Sequence, residues 1–490
     1  MAWLTKSRFL SGLQCHKRLW FEIHQPLARS VEPSTAILQG RSFDQAVQEL
    51  HPGVEISRER GIPAAIAETK RVLGRAKNSP STLYQPAFRA GDLAVIVDVL
   101  RRSGSTFDLV EVKASTQAKE THLPDAAFQA LVLDRARIPV GRVFVGLVNN
   151  QFVLRRVGDY AGILVEVDIT DSVHAYLPEA GARALEFLEV MADDVMPTIA
   201  VGPQCSTPYE CPFWSRCTAG QETAEYPVDL LPRGGNIVEA LVADGYRDLR
   251  DVPVNRLTNE MHRRVFDATV SGLAFFDVAA TVELRGLPSP FGYLDFETIS
   301  YSVPELIGTR PFEQVPFQWS VHVEHSPDDV RHAEYLAIEN FGDFEAMAQA
   351  LMAALPVSGP IFAYNASFEE RVVMRLAEWA PTHAAGLRAL AGRLVDLLPV
   401  TRAAYYHRDM RGSWSIKSVM PTIDARLGYE FLDEVQEGDG AQRAFLELRG
   451  NDVTRERSLA LRSALLRYCR HDTWVMVVLR RFLCGDPLGV

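Results

Sequence analysis

The sequence predicts an α/β multidomain protein, and three observations carry that expectation. Short apolar strand patterns alternate with helical 3.6-residue patterns along the whole chain, and the length of 490 residues suggests two to four domains. Four cysteines are also spaced so that one centre holding all of them would close residues 15 to 217 into a single loop. The expected division is a first domain over 1–220, a helical connector over 221–287 and a second domain over 288–490.

Composition narrows the class. The apolar fraction of 47% is that of an ordinary globular protein, and the net charge is −11. A nucleic-acid partner must therefore meet a local basic patch, because the overall field repels it. No apolar run is long enough to span a membrane, and the first residues lack the charged-then-apolar pattern of a signal peptide, so a cytoplasmic protein with no membrane partner is expected. Six cysteines in a chain this long point to metal rather than disulfides.

The first thirty residues interleave Lys6, Arg8, Lys17, Arg18 and Arg29 with Phe9, Trp20 and Phe21. Such a pattern suits a strand of nucleic acid, and it equally suits an amphipathic helix packed on its domain. Gly40-Arg-Ser-Phe-Asp44 leads into a helix through Leu50, and residues 61–77 read as another, ending near Asn78-Ser-Pro80. Leu93 to Leu100 then reads as a buried strand, Ser103 to Thr106 as a turn, and Phe107 to Lys113 as the partner strand of a hairpin. Strand alternation puts Glu111 and Lys113 on one face, with Asp98 expected across from them. Two carboxylates and an ammonium on a rigid sheet can hold a divalent ion and orient water. The bland alternative is a surface ion pair, but Asp98 interrupts an apolar strand, where an unpaired charge is costly. Asp125 and Gln129 share a face of the following helix.

Cys205, Cys211 and Cys217 lie at even gaps of five residues, with Cys15 far upstream. Four thiolates suit either an iron–sulfur cluster or a tetrahedral zinc; buried structural thiols are the alternative.

Asp98, Glu111-Val-Lys113 and Gln129 in this order resemble the PD-(D/E)xK restriction-endonuclease-like nucleases of the RecB type. Together with Cys15, Cys205, Cys211 and Cys217, they resemble the branch of that family that bears a [4Fe–4S] cluster, which includes a CRISPR-associated exonuclease and AddB. The resemblance covers about residues 1–220. It implies that Asp98 and Glu111 ligate Mg2+ or Mn2+, that Lys113 positions or activates water, that Gln129 supports the site, and that the four cysteines clasp the cluster. Where that family often carries a histidine four residues after a glycine, this chain has Asp44 after Gly40.

Residues 220–290 read as a connector, with a short helix over 237–243. Phe291 to Thr298 is an apolar strand bearing Asp295 and Glu297 at i and i+2, on one face. Two acids facing one way from a central strand call for a cation between them. Strands are expected over 317–324, 334–338 and 360–365, with a helix over 344–355 and another starting near Glu369. A long helix over 459–483 carries Tyr468 and Asp472 on one face. Asp295-x-Glu297, Asn365-x3-Glu369 and Tyr468-x3-Asp472 resemble the three motifs of DEDD exonucleases on an RNase H-like fold, in the tyrosine subtype. That likeness, over about 288–485, implies that Asp295, Glu297, Glu369 and Asp472 bind two metal ions and that Tyr468 orients the attacking water. Glu369 departs from the usual Asp. Asp396 is a spare acid. Ser413 to Lys417 reads as a phosphate contact or a capped turn, His471 as a helix-surface residue, and Cys469 and Cys484 as packing residues.

The chain as a whole resembles bacterial proteins that fuse an iron–sulfur RecB-like nuclease to an RNase H-like exonuclease domain. The expectation is a metal-dependent nuclease, a DNA exonuclease before an RNA one, with two candidate centres and a role in repair, recombination or defence. The alternative is a nucleic-acid-binding scaffold with degenerate nuclease folds.

Overall fold

A computed structural model of the chain describes residues 2–28, 34–74, 80–220, 224–432, 434–450 and 453–489. Arg29 and the helix end expected at Asn78 lie outside them. The chain is mixed α/β and divides into two compact units. The first holds the described residues up to 220 together with Ser300–Glu313; the second holds those from 224 to Ile299 and from Gln314 onward. No helix among the described residues is long and apolar enough to cross a membrane.

The first unit is built on a six-stranded mixed sheet in the order Val54–Glu55, Thr82–Tyr84, Val99–Ser103, Thr106–Lys113, Val140–Val148 and Leu164–Asp168. Thr106–Lys113 is central, antiparallel to Val99–Ser103 and parallel to Val140–Val148. Helices His122–Arg135 and Thr170–Ala192 share one apolar core with it. The single strand expected from Leu93 to Leu100 is two strands. Leu93–Ile96 joins a small sheet with Leu4–Thr5 and Ala87–Ala90, and Val99–Ser103 joins the main sheet. The break falls at Asp98, whose carboxylate accepts the Val112 N–H at 3.0 Å and whose carbonyl accepts the Gln85 N–H at 3.0 Å. A side chain that satisfies the neighbouring strand's backbone lets the chain pass between sheets without an orphaned donor. Ser300–Glu313 belongs here because Gln39 donates to the Ser300 carbonyl at 2.8 Å and Leu154 to the Thr309 carbonyl at 3.0 Å.

The N-terminal aromatics follow the packing reading. Phe9, Trp20 and Phe21 are buried, and Phe21 stacks on Phe213 with ring centres 5.1 Å apart, so these rings are not free to stack on bases.

The second unit carries a five-stranded sheet in the order Asp329–Leu336, Gln314–Ser326, Phe291–Ser300, Ile361–Ala363 and Leu394–Asp396. The first two pair as an antiparallel hairpin, and the last three run parallel. The expected connector is not separate. Leu241, Leu249, Leu257 and Val265 are buried, and Phe275–Phe276 pairs with Tyr405–Tyr406 of the same unit. The last helix, Arg455–Cys484, is capped by Thr454, whose hydroxyl accepts the Arg457 N–H, and ends at Gly485 with φ +75°. That left-handed stop is one glycine adopts freely.

A buried ionic knot fastens this helix to the sheet. Glu324 accepts from Tyr293 Oη at 2.6 Å and from Arg481 Nε at 2.9 Å, while Arg480 Nε donates to Tyr293 Oη at 2.9 Å. Tyr293 lies two residues before Asp295, and the arginines lie two turns beyond Asp472, so the knot sets the register of strand against helix at the acids. Removing one partner of a buried charge set costs about 3–5 kcal/mol because the other charges stay buried. Glu324→Ala is therefore expected to lower the unfolding free energy of the second unit, measured by urea denaturation of the full-length protein, by that order, while Glu305→Ala, at an acid of the 300–313 segment, leaves the second unit's transition in place.

Candidate metal centres and a cysteine cluster

The first centre assembles on Thr106–Lys113 and the helix beside it. Glu111 is fully buried, which removes the surface-pair reading of Glu111 and Lys113. Lys113 Nζ lies 2.5 Å from Glu111 Oε1 and 2.6 Å from Asp125 Oδ2. Gln129 donates to the other Glu111 oxygen and to Asp125 Oδ1 at 3.1 Å, which fixes both carboxylates. A second ammonium completes the group: Lys6 Nζ lies 2.8 Å from Glu111 Oε1 and 3.6 Å from Asp125 Oδ1. Sequence reasoning placed Lys6 only in a basic patch, since nothing in a motif links residues 105 positions apart.

Burial alone would raise the Glu111 pKa, but Lys6 and Lys113 outweigh it and hold the carboxyl below its usual range. Asp98 goes the other way: burial and the Glu111 charge push it to about 8. Asp44 feels the same field, raised to about 6 by burial and then by Glu111, so the acid in the histidine's place belongs to this electrostatic group. A cleft of about 660 Å3 opens beside Lys113, lined also by Arg18, His122, Asp125 and Tyr209.

All four expected cysteines line one pocket together with Lys17, Arg18 and Phe213. Cys15 sits in extended backbone, φ −167°, between helices Lys6–Gln14 and His16–His24, so it breaks what would be one helix. Cys205 ends a short turn, its carbonyl accepts the Cys211 N–H at 2.7 Å, and Cys217 sits in the short helix Trp214–Thr218. None of these cysteines is in a disulfide. Burial raises the Cys211 and Cys217 thiols; neighbouring thiols add to this, while Arg18 and Lys17 oppose it.

In the second unit, Asp295 and Glu297 project from the central strand toward the long helix. Glu297, Glu369, Tyr468 and Asp472 are all buried. The Asp295 and Glu297 carboxyls are pushed well above their usual range, by burial first and then by Asp472. Burial, then Asp396 and Asp472, raise Glu369 to about 8. Burial raises Asp472 to about 6, against the pull of Tyr429 and Lys417. Glu369 thus stands among the acids rather than in solvent, and its Oε2 is buried without a hydrogen-bond partner. Asp396 does a different job. Its Oδ1 accepts the Asn365 and Leu398 N–H groups, each at 2.9 Å, holding the left-handed Asn365 (φ +70°) that launches the Glu369 helix.

Tyr429 escaped the motif reading, and Lys417, read as part of a phosphate contact or a capped turn, and Cys469 both prove to face the acids. Tyr429 donates a hydrogen bond to Asp472 Oδ1. Lys417 Nζ lies 3.2 Å from the Tyr468 hydroxyl and about 5 Å from the Tyr429 and Tyr468 ring centres, so it turns toward the acids. Cys469, expected as packing, points at Asp295, with Sγ 3.4 Å from Oδ2. Cys469 lies one residue from Tyr468, but its neighbour across the fold appears only when helix and strand meet. His471 is half-buried and contacts the Leu427 carbonyl at 3.2 Å rather than the acids.

Residues 292–415 match the model of a domain of unknown function (DUF2779), a stretch that contains Asp295, Glu297 and Glu369 and stops short of Lys417, Tyr468 and Asp472. The chain is 23% identical over 273 residues to the uncharacterized protein MG366 of Mycoplasma genitalium, covering 49% of this chain and 41% of that protein. It is 27% identical over 213 residues to the MG366 homolog of Mycoplasma pneumoniae, covering 39% and 32%. The chain thus spans less than half the length of either relative.

The acids of the second unit predict a pH dependence with a defined sign. A carboxyl that titrates near 4 when unfolded and higher when folded stabilises the fold fully at low pH, and that contribution is lost as pH rises through the folded value. For Asp472 and Glu369 the loss spans pH values from about 4 up to their folded values near 6 and 8. The melting temperature of metal-free protein is expected to fall across this window. Glu369→Gln should flatten the alkaline part of the fall, and an identical profile in that variant would show that Glu369 does not titrate there.

Proposed function

We propose that this protein is a metal-dependent nuclease with two candidate centres, with DNA rather than RNA as its substrate. The observation that carries the reading is the convergence in the second unit of Asp295 and Glu297 from one strand and Glu369 and Asp472 from two helices, with burial raising all four carboxyls and Asp472 adding to the rise of the other three. Buried like charges at this density need a cation to offset them. The convergence of acids from the central strand, a helix start and the last helix supports an RNase H-like domain of the DEDD type. A divalent ion held there would polarise a phosphodiester and lower the pKa of a bound water. Tyr468 and Lys417 stand where they can orient water and balance charge on a phosphate.

In the first unit, the group of Asp98, Lys113 and the buried Glu111 and Gln129 supports a PD-(D/E)xK centre for Mg2+ or Mn2+. One observation favours a structural role there instead: Lys6 and Lys113 already neutralise Glu111 and Asp125. The four-cysteine pocket supports a [4Fe–4S] cluster over a single zinc. Zn–S bonds of about 2.3 Å in a tetrahedron put sulfurs only about 3.8 Å apart. Among the described residues, the ligand atoms that gather in threes within 4.8 Å of one another do not include these thiols.

Cleavage assays on single- and double-stranded DNA and RNA with Mg2+ and Mn2+ test the reading. Asp295→Ala and Glu111→Ala, made separately, should each remove the activity of one centre. Tyr468→Phe should cost roughly ten- to a hundredfold, since it removes one hydrogen bond worth about 1–3 kcal/mol. Full cleavage by the double variant Asp295→Ala/Glu111→Ala would refute the proposal. Anaerobically purified protein should be brown and contain iron, and Cys15→Ala should bleach it; zinc without iron would rule out the cluster.

A further inference from the structure

We propose that Cys469 is a ligand of the second unit's metal centre, so that Asp295, Glu297 and Cys469 form an oxygen–oxygen–sulfur set that takes a thiolate-accepting divalent ion such as Zn2+ in preference to Mg2+. The proposal rests on reading this group as a metal centre and adds the chemical class of ion it selects.

The placement is built into the fold. Cys469 occupies the long helix between Tyr468 and Asp472, is fully buried, and meets Asp295 of the central strand. The Cys469 sulfur and one carboxylate oxygen each from Asp295 and Glu297 all lie within 4.8 Å of one another, the set of this kind among the described residues. Tetrahedral zinc with Zn–S of about 2.3 Å and Zn–O of about 2.1 Å separates sulfur from oxygen by roughly 3.6 Å. The observed separation of 3.4 Å fits that demand before any movement. Glu369 Oε2 is buried without a hydrogen-bond partner and its charge raises both Asp295 and Glu297, but it lies outside the 4.8 Å group, so it would have to move inward to serve as a fourth donor.

Donor softness then selects the ion. Oxygen-only sites suit Mg2+ and Mn2+, whereas one thiolate shifts preference toward Zn2+ and its neighbours. Binding would break the Cys469 S–H bond, form a sulfur–metal bond and release the proton to solvent. A packing thiol would instead be surrounded by apolar groups, and this one faces two carboxylates.

The test is binding rather than turnover. Full-length wild-type protein, Cys469→Ser, Cys469→Ala and Asp295→Asn are titrated with Zn2+ by calorimetry and with Co2+ by difference absorption. The clasp cysteines are present in all four proteins and cancel in the comparison. Loss even of a residue that only orients a ligand costs about 10–100-fold in metal affinity. Both Cys469 variants should therefore lose at least about tenfold in Zn2+ affinity. They should also lose a sulfur-to-cobalt band near the ultraviolet that wild type shows, while Mg2+ binding stays the same. Circular dichroism melts matching wild type confirm that the variants fold. Unchanged Zn2+ affinity and cobalt spectrum in both Cys469 variants would overturn the thiolate ligand, even where Asp295→Asn abolishes binding. Unchanged binding in Asp295→Asn as well would overturn the metal centre itself.

Discussion

The structure depends most on how it offsets buried negative charge. A carboxylate moved out of water is paired, protonated or bound to a cation, because an isolated one costs far more than a domain's net stability. The two units solve this differently. In the first, Lys6 and Lys113 lie against Glu111 and Asp125, and the Gln129 amide bridges the two acids. In the second, four acids meet with Lys417 as a cation that eases Glu297 and Asp472. Burial first, and then the neighbouring carboxylates, keep Asp295, Glu297 and Glu369 above their usual range.

Around that set, the fold spends its strongest polar contacts on geometry. The Glu324–Arg480–Arg481–Tyr293 knot fixes the strand bearing Asp295 against the helix bearing Asp472. Asp396 fixes the turn that aims Glu369. In the first unit the cysteine pocket gathers Cys15, the link between the first two helices, and three residues of the 203–218 segment, and Gln14 adds two further ties, to the Gln204 carbonyl at 2.8 Å and to the Tyr209 carbonyl at 2.6 Å. The same N-terminal helix that ends at Cys15 begins at Lys6, so the ligand pocket and the first acidic centre share one short rigid element.

Local periodicity made much of this legible. The two-residue strand period put Asp295 with Glu297 and Glu111 with Lys113, and the helical period put Tyr468 with Asp472 and Asp125 with Gln129. The strands and helices of the second unit lie within a few residues of their expected bounds, because each is framed by turns and caps such as Thr454 and Gly485. What the sequence hid were contacts made by packing rather than by spacing. Lys6 meets Glu111 only when the first helix lies on the sheet, and Tyr429 meets Asp472 only when its loop closes over the last helix. Asp98 was visible as a charge in an apolar strand, but its use as a strand break depends on the Val112 N–H, which only the folded register supplies. The stretch read as a connector packs its apolar residues into the second unit, a partner that only the fold supplies.

The contrast between the units bears on what each centre can do with a metal ion. An ion entering the first must compete with two ammonium groups already seated on its acids, so its net electrostatic gain is reduced by what those lysines give up. Lys113 is only part-buried and borders the cleft, so on the proposed reading it would be the group free to turn toward a phosphate if an ion took its place. Lys6 faces the same exchange from the opposite side and holds Asp125 as well as Glu111. An ion entering the second centre relieves repulsion among acids and displaces protons rather than lysines, so its binding strengthens as pH rises and those protons leave. Under the proposed reading, metal affinity in the two centres would be set by different competitors, lysine in one and the proton in the other, although both are built from carboxylates on a central strand.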